Sequence, residues 1–154
     1  VVRRGSLRWA VKTSFVHYVR MVAAGSVEVL DGAQASPDGV FEFPLSEASE
    51  GASGRVLRCA GAVRFSAHHG FLEVDLRDLE LSLSANGGEL SIAGPEGGRT
   101  AIATTDPLAP AAEPGLIRWT GLVPRLTEAG VEVFGNVYPA GTEMAPLEAL
   151  VLLD

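Results

Sequence analysis

Cysteine is almost missing from this chain. There is one, Cys59, in 154 residues. No intramolecular disulfide and no cysteine-based zinc site can form, so a small disulfide-stapled scaffold is excluded while the compartment stays open. Basic residues are few as well, 12 against 19 acidic ones, for a net charge of −7. Nucleic acid is a poor partner for such a chain, because its phosphates need lysine and arginine. Apart from Arg3 and Arg4 the basic residues are scattered, which disfavours an anionic membrane surface too. No apolar run approaches the ~20 residues that cross a bilayer, so no membrane-spanning segment is expected. Neither a signal peptide nor an initiator methionine is seen. The chain reads as a domain of a longer protein, with signal and anchor outside this fragment.

Catalytic signatures are also lacking. No Gly-x-Ser-x-Gly elbow occurs, and no Ser/His/Asp set sits in a strand–turn–helix context. The stretch 130–141 contains three glycines but neither the Lys-Ser/Thr of a phosphate loop nor the spacing of a dinucleotide fingerprint. His68 and His69 are adjacent, so on a strand they point to opposite faces, and no His-x-x-x-His spacing exists. We expect no enzyme.

What is present describes a folded, turn-rich domain. Hydrophobic residues make up 47% and charged residues 20%, with 18 glycines and nine prolines. Alternation predicts strands over 7–11, 27–30, 40–43, 55–67, 71–76, 79–84, 89–93, 100–104, 116–121 and 147–153. In the long run 55–67, Leu57, Cys59, Gly61, Val63 and Phe65 share one face, and a hairpin carries His68, His69 and Gly70 at its tip. Residues 47–54 and 106–115 read as loops. One short helix is expected over 15–24, capped by Ser14 and stopped by Gly25, with Phe15, Tyr18 and Val22 on one side. A second begins after Thr127 and ends near Gly135. The fold class is mainly β (α+β): one β-sandwich-like domain over 1–154, with about nine or ten strands and two short helices.

Tyr18 is one of only two tyrosines. It is either a packed aromatic or a hard anionic oxygen donor suited to ferric iron, and tyrosine is among the axial ligands of haem. A free phenol titrates near ~10, so binding requires deprotonation, which the metal and a hydrogen-bonding neighbour favour. A second reading rests on Trp9 and Trp119. Exposed on a sandwich, either would stack on a sugar ring, giving a non-catalytic adhesion or carbohydrate-binding module. His17 reads as a solvated helix residue and Cys59 as a small buried hydrophobe.

Three segments, in order, carry a resemblance. They are Trp9-Ala10-Val11-Lys12-Thr13-Ser14-Phe15-Val16-His17-Tyr18, then Val63-Arg64-Phe65-Ser66-Ala67-His68-His69-Gly70-Phe71-Leu72, and finally Leu126-Thr127-Glu128-Ala129-Gly130 running on to Val133-Phe134-Gly135-Asn136-Val137-Tyr138-Pro139-Ala140-Gly141. Over nearly the whole chain this resembles the HtaA family, the haem-binding conserved-region domains of surface haem-uptake proteins in corynebacteria and other actinobacteria.

The resemblance implies a β-rich domain that binds ferric haem outside the membrane, at the cell surface or secreted, and relays it for iron acquisition. Haemoproteins would be the donors. Other surface haem-transfer proteins or a haem transporter lipoprotein would be the acceptors. It makes Tyr18 the axial iron ligand and places Ser14 in the haem pocket, near a propionate, while the helix reading puts Phe15 on the same wall. It also makes His68 the hydrogen-bond partner of the ligand tyrosine and sets Tyr138 beside the haem. Ala67 stands where the family usually has glycine, and Val137 where an aromatic is common. Strand parity does not choose between His68 and His69, because alternation breaks at a hairpin tip.

Overall fold

The computed structural model describes residues 4–22 and 24–153. Arg3, and Ala23 within the expected first helix, lie outside the described residues. The fold is mainly β, as its composition predicts, and the described residues contain fourteen strands rather than nine or ten. These are β1 (Gly5–Trp9), β2 (Ser26–Leu30), β3 (Gln34–Ala35), β4 (Phe41–Gly51), β5 (Gly54–Cys59), β6 (Ala62–Ala67), β7 (Leu72–Arg77), β8 (Glu80–Ser84), β9 (Gly87–Ala93), β10 (Arg99–Thr105), β11 (Ala111–Glu113), β12 (Leu116–Leu122), β13 (Arg125–Leu126) and β14 (Leu147–Leu152). Two short α-helices, α1 (Thr13–His17) and α2 (Glu128–Val133), complete it.

Eleven strands form one curled antiparallel sheet in the order β11-β12-β14-β1-β4-β5-β8-β9-β10-β13, with β3 added on β4. The long β4 joins its two halves. Phe41 to Pro44 pair with β1, and after a bulge between Leu45 and Glu47 the rest pairs with β5. The other three strands form a smaller sheet, β2-β6-β7. The two sheets meet through their apolar faces, and the rings of Phe41 on β4 and Phe65 on β6 touch edge to face at 5.9 Å. Alternation is read correctly in β7, whose Leu72, Val74 and Leu76 are buried between exposed Glu73 and Asp75.

Three expectations are corrected. Residues 47–54 are not a loop. Glu47 to Gly51 pair with Gly54 to Arg58, leaving a turn at Ala52 and Ser53. Small polar side chains give no apolar alternation there, but the ladder bonds are made by backbone. The run 55–67 is two strands in two sheets. It breaks at Gly61, where φ is +97° and an added Cβ would lie 2.8 Å from Ala33. Leu57, Cys59, Val63 and Phe65 stay buried across the break, so the pattern hides it. The Pro/Ala loop 106–115 contains β11, an exposed edge strand.

Candidate functional site

The first helix starts earlier and ends sooner than expected. Its N-cap is Lys12, with extended backbone and no side-chain cap. The amides of Phe15 and Val16 donate to the Lys12 carbonyl at 3.0 Å each. Ser14 is therefore inside the first turn, exposed, and not the cap. After His17 the α-helix gives way to a wider π turn, Tyr18–Val22, closed by the Gly25 amide donating to the Val19 carbonyl at 2.7 Å. Gly25 is required there because a Cβ would meet the Ser66 carbonyl oxygen at 2.1 Å. The π turn brings Val19 into the core and leaves Val22, expected on the side of Phe15, 68% exposed.

Phe15 is the floor of this region. Fully buried, it meets Phe65 at 5.2 Å, Phe134 at 5.3 Å and Tyr138 at 6.2 Å, all edge to face. Tyr18, one turn on, is only half-buried, and its ring reaches the surface.

The hairpin tip comes to meet it. β6 ends at Ala67, and the next three residues all adopt left-handed backbone: His68 (φ 53°), His69 (φ 55°) and Gly70 (φ 91°). Two consecutive non-glycine residues in this region are uncommon and strained. This turn sets the direction that parity could not. His68 Nε2 lies 2.7 Å from the Tyr18 hydroxyl, a hydrogen bond between residues 50 apart in sequence. His69 lies instead on a shallow hollow of about 290 Å³ with Gly25, Ser26 and Ser66.

The third segment approaches from α2. Thr127 caps that helix as expected, its Oγ1 accepting from the Gly130 amide at 3.0 Å. The chain then leaves the helix through buried Phe134 and brings Tyr138, half-buried, against Phe15. Lys12 Nζ lies 5.4 Å from the centre of the Tyr138 ring.

The structure thus brings Phe15, Tyr18, His68 and Tyr138 to one end of the core, with Ser14 exposed on the same short helix. It also reveals what the sequence reading missed. Met21 (70% exposed), Val22, Phe71 (93%) and Val137 (52%) are large apolar side chains left in water, the first two just beyond the first segment and the others within the second and third. Met21 follows Tyr18 by three residues, Phe71 follows His68 by three and Val137 precedes Tyr138, so exposed apolar side chains flank the site residues in sequence, a feature of ligand and partner sites. A second signal was legible but unused. In a chain of net charge −7, residues 11–27, 54–72 and 133–142 contain no Asp or Glu. A hard oxygen donor, a histidine beside it, exposed apolar side chains and no nearby carboxylate in sequence fit a flat, apolar, anionic ligand with a ferric centre.

A larger cleft of about 460 Å³ lies elsewhere, between Arg55, Leu83, Leu108 and Trp119. Its one carboxylate, Glu50, is paired with Arg55 at 3.4 Å, and no histidine, cysteine or tyrosine lines it, so the Tyr18 region is the better candidate despite its open shape. Trp119 is 2% exposed there and Trp9 is 1% exposed, its indole N–H donating to the Ala145 carbonyl at 2.7 Å. Neither offers a ring face to a sugar, which removes the basis for the carbohydrate-binding alternative. Burial pushes the Cys59 thiol up to about 12, as suits an inert core residue. Among the described residues no cluster of three or more His, Cys, Asp or Glu could hold a metal ion.

A sequence model of the HtaA family, described as Htaa, matches residues 4–149. The fold is that of the C-terminal domain of HtaA from Corynebacterium glutamicum, with 25% identity, a TM-score of 0.86 and coverage of 99% of this chain and 98% of that one. The N-terminal domain of HtaA from the same organism is similar, at 22% identity and a TM-score of 0.84, covering 100% and 99%. The heme binding protein HtaB from Corynebacterium glutamicum shares the fold at 20% identity and a TM-score of 0.76, covering 99% and 94%. No curated protein matches the chain by sequence.

Proposed function

The chain belongs to the HtaA family, and from that premise we propose that it binds ferric haem, with Tyr18 as the axial ligand and His68 as the partner of its oxygen. The observation that carries this is the 2.7 Å contact between Tyr18 and His68, set among exposed apolar side chains. The family's haem-uptake role supports the same reading, as does the fold shared with a protein named for heme binding.

The chemistry follows from the pair. In the free protein either the phenol O–H donates to Nε2 or Nε2–H donates to the phenol oxygen. Once the oxygen is a phenolate bound to iron, only Nε2–H can donate. Ligation therefore requires the phenol to lose its proton. His68 is exposed and in contact, so its Nε2 can take that proton, the imidazolium can release its Nδ1 proton to water, and the Nε2–H that remains stabilises the anion. Bound haem supplies the ferric Lewis acid. Phe15 supports the ligand helix from beneath, and Ser14 and Tyr138 complete the polar and aromatic edge of the site.

One anionic ligand on an open surface suits capture and release rather than turnover. We place the domain outside the membrane, at the cell surface or secreted. There it takes haem from haemoproteins and passes it to another surface haem-transfer protein or a transporter lipoprotein. No helix of the described residues is long and apolar enough to cross a membrane.

The test is a titration with ferric haem, followed at the Soret and charge-transfer bands. Saturable one-to-one binding is expected for the wild type, with severe loss in Tyr18→Ala. Unchanged binding in that variant would remove Tyr18 as ligand.

A further inference from the structure

Lys12 is the chain's one lysine, and it stands at the start of the helix that carries Tyr18. Its ammonium has three N–H donors. One meets the Glu143 carbonyl at 3.1 Å, and the group lies against the Tyr138 ring at 5.4 Å. The Glu143 carboxylate itself turns to Arg125 at 3.5 Å. Among the described residues no carboxylate comes within ion-pair distance of Lys12. In that it differs from Arg8 and from every arginine from Arg55 onward, each of which has at least one carboxylate partner. In an acidic chain this cation keeps spare donors beside Tyr138.

We propose that Lys12 is the carboxylate anchor of the site: it pairs with a propionate of the ligand held by Tyr18, so the site selects the free diacid form of the porphyrin over neutral forms. This rests on the haem reading above. Lys12 precedes the first helical residue, Thr13, and the five helical steps from there to Tyr18 rise roughly 7.5 Å, which separates the anionic end of a ligand from its metal. The exposed Ser14 hydroxyl, two residues on, adds a donor at the same end. The Tyr138 ring steadies the ammonium from one side. Arg20 does not compete for the role. It lies beyond Tyr18 in the π turn, on the other side of the tyrosine along the chain from Lys12 and Ser14.

The experiment compares ferric haem with its dimethyl ester, delivered in the same detergent, on wild type, Lys12→Gln and Lys12→Arg. The wild type is expected to prefer the diacid by about tenfold, the size of one charge-assisted hydrogen bond. Lys12→Gln should lose that preference while keeping the ester affinity, and Lys12→Arg should restore it. A preference that survives in Lys12→Gln, or an equal loss for both ligands, overturns the anchor and leaves the haem reading standing. If neither porphyrin binds the wild type, the haem reading falls, and the anchor with it. A second readout is acylation of Lys12 followed by mass spectrometry, with the N-terminal amine as internal control. Saturating haem should slow modification of Lys12 selectively, and equal rates with and without haem would overturn the pairing.

Discussion

Phe15→Ala tests whether the candidate site stands on the core or beside it. Phe15 is fully buried and makes three edge-to-face ring contacts, with Phe65, Phe134 and Tyr138. Truncating a buried phenylalanine costs about 3–5 kcal/mol through lost transfer energy and the cavity left behind. Ring pairs add about 0.5–1.5 kcal/mol beyond area, which puts this site in the middle of the range or above, at about 4 kcal/mol. Unfolding entropy of ~2.1 cal/mol/K per residue gives about 0.3 kcal/mol/K for a chain this long. The expected fall in Tm is therefore about 12 °C, measured by calorimetry or a circular-dichroism melt. Phe134→Ala on the same background should cost less than it does alone, because the two rings are in contact. A fall below about 3 °C, or strict additivity with Phe134→Ala, would refute this account of the floor. The Tyr18 helix would then be held by something other than the aromatic cluster.

Gly25→Ala drives a methyl into the Ser66 carbonyl, 2.1 Å from the Cβ position, and should cost about 1–3 kcal/mol while loosening the end of the π turn. A denaturant midpoint equal to wild type would contradict the close approach. His69→Gly relieves a non-glycine residue at φ 55° and should raise stability by up to about 1 kcal/mol, since only part of the gain is lost to unfolded-state entropy. Marked destabilisation would mean that the imidazole does more in its hollow than line it. Cys59 is raised from 9.0 to about 12 by burial, so between those values the unfolded thiol ionises before the folded one. Its contribution to stability is full below pH 9 and declines as pH rises towards 12. Iodoacetamide at pH 8 should accordingly label Cys59 only in denaturant, and rapid labelling of the native protein would be the contrary result.

The elements that read correctly are those whose signal is local. Thr127 caps α2, and β7 alternates cleanly, because hydroxyl capping and pleat geometry depend on neighbours in sequence. The failures lie where distant backbone decides. Glu47 to Gly51 are strand because β5 pairs with them. The break at Gly61 is silent because inward residues keep their parity across it. The π turn after His17 has no propensity signature, and it changes which residues around Tyr18 face outward. The resemblance spread over three segments picks out Tyr18, His68 and Tyr138 and implies the contact of Tyr18 with His68, which the residue pattern alone could not. The choice of His68 over His69 depends on three successive left-handed residues, a conformation that histidine tolerates better than most residues but does not dictate. The exposure of Met21, Val22 and Phe71 was equally hidden, since a hydrophobic residue in sequence reads as core until the surface is built.

The central claim is that a tyrosine oxygen holds the iron and that the tyrosine is Tyr18. Resonance Raman spectroscopy of the ferric haem complex, excited in its charge-transfer band, addresses it directly. Tyr138→Phe leaves Tyr18 as the chain's remaining tyrosine, so any tyrosinate mode in that variant belongs to Tyr18. The account predicts tyrosinate modes that shift on ring-deuterated tyrosine labelling, persist in Tyr138→Phe and vanish in Tyr18→Phe. Tyrosinate modes that survive in Tyr18→Phe, or a wild-type haem complex without them, would contradict it.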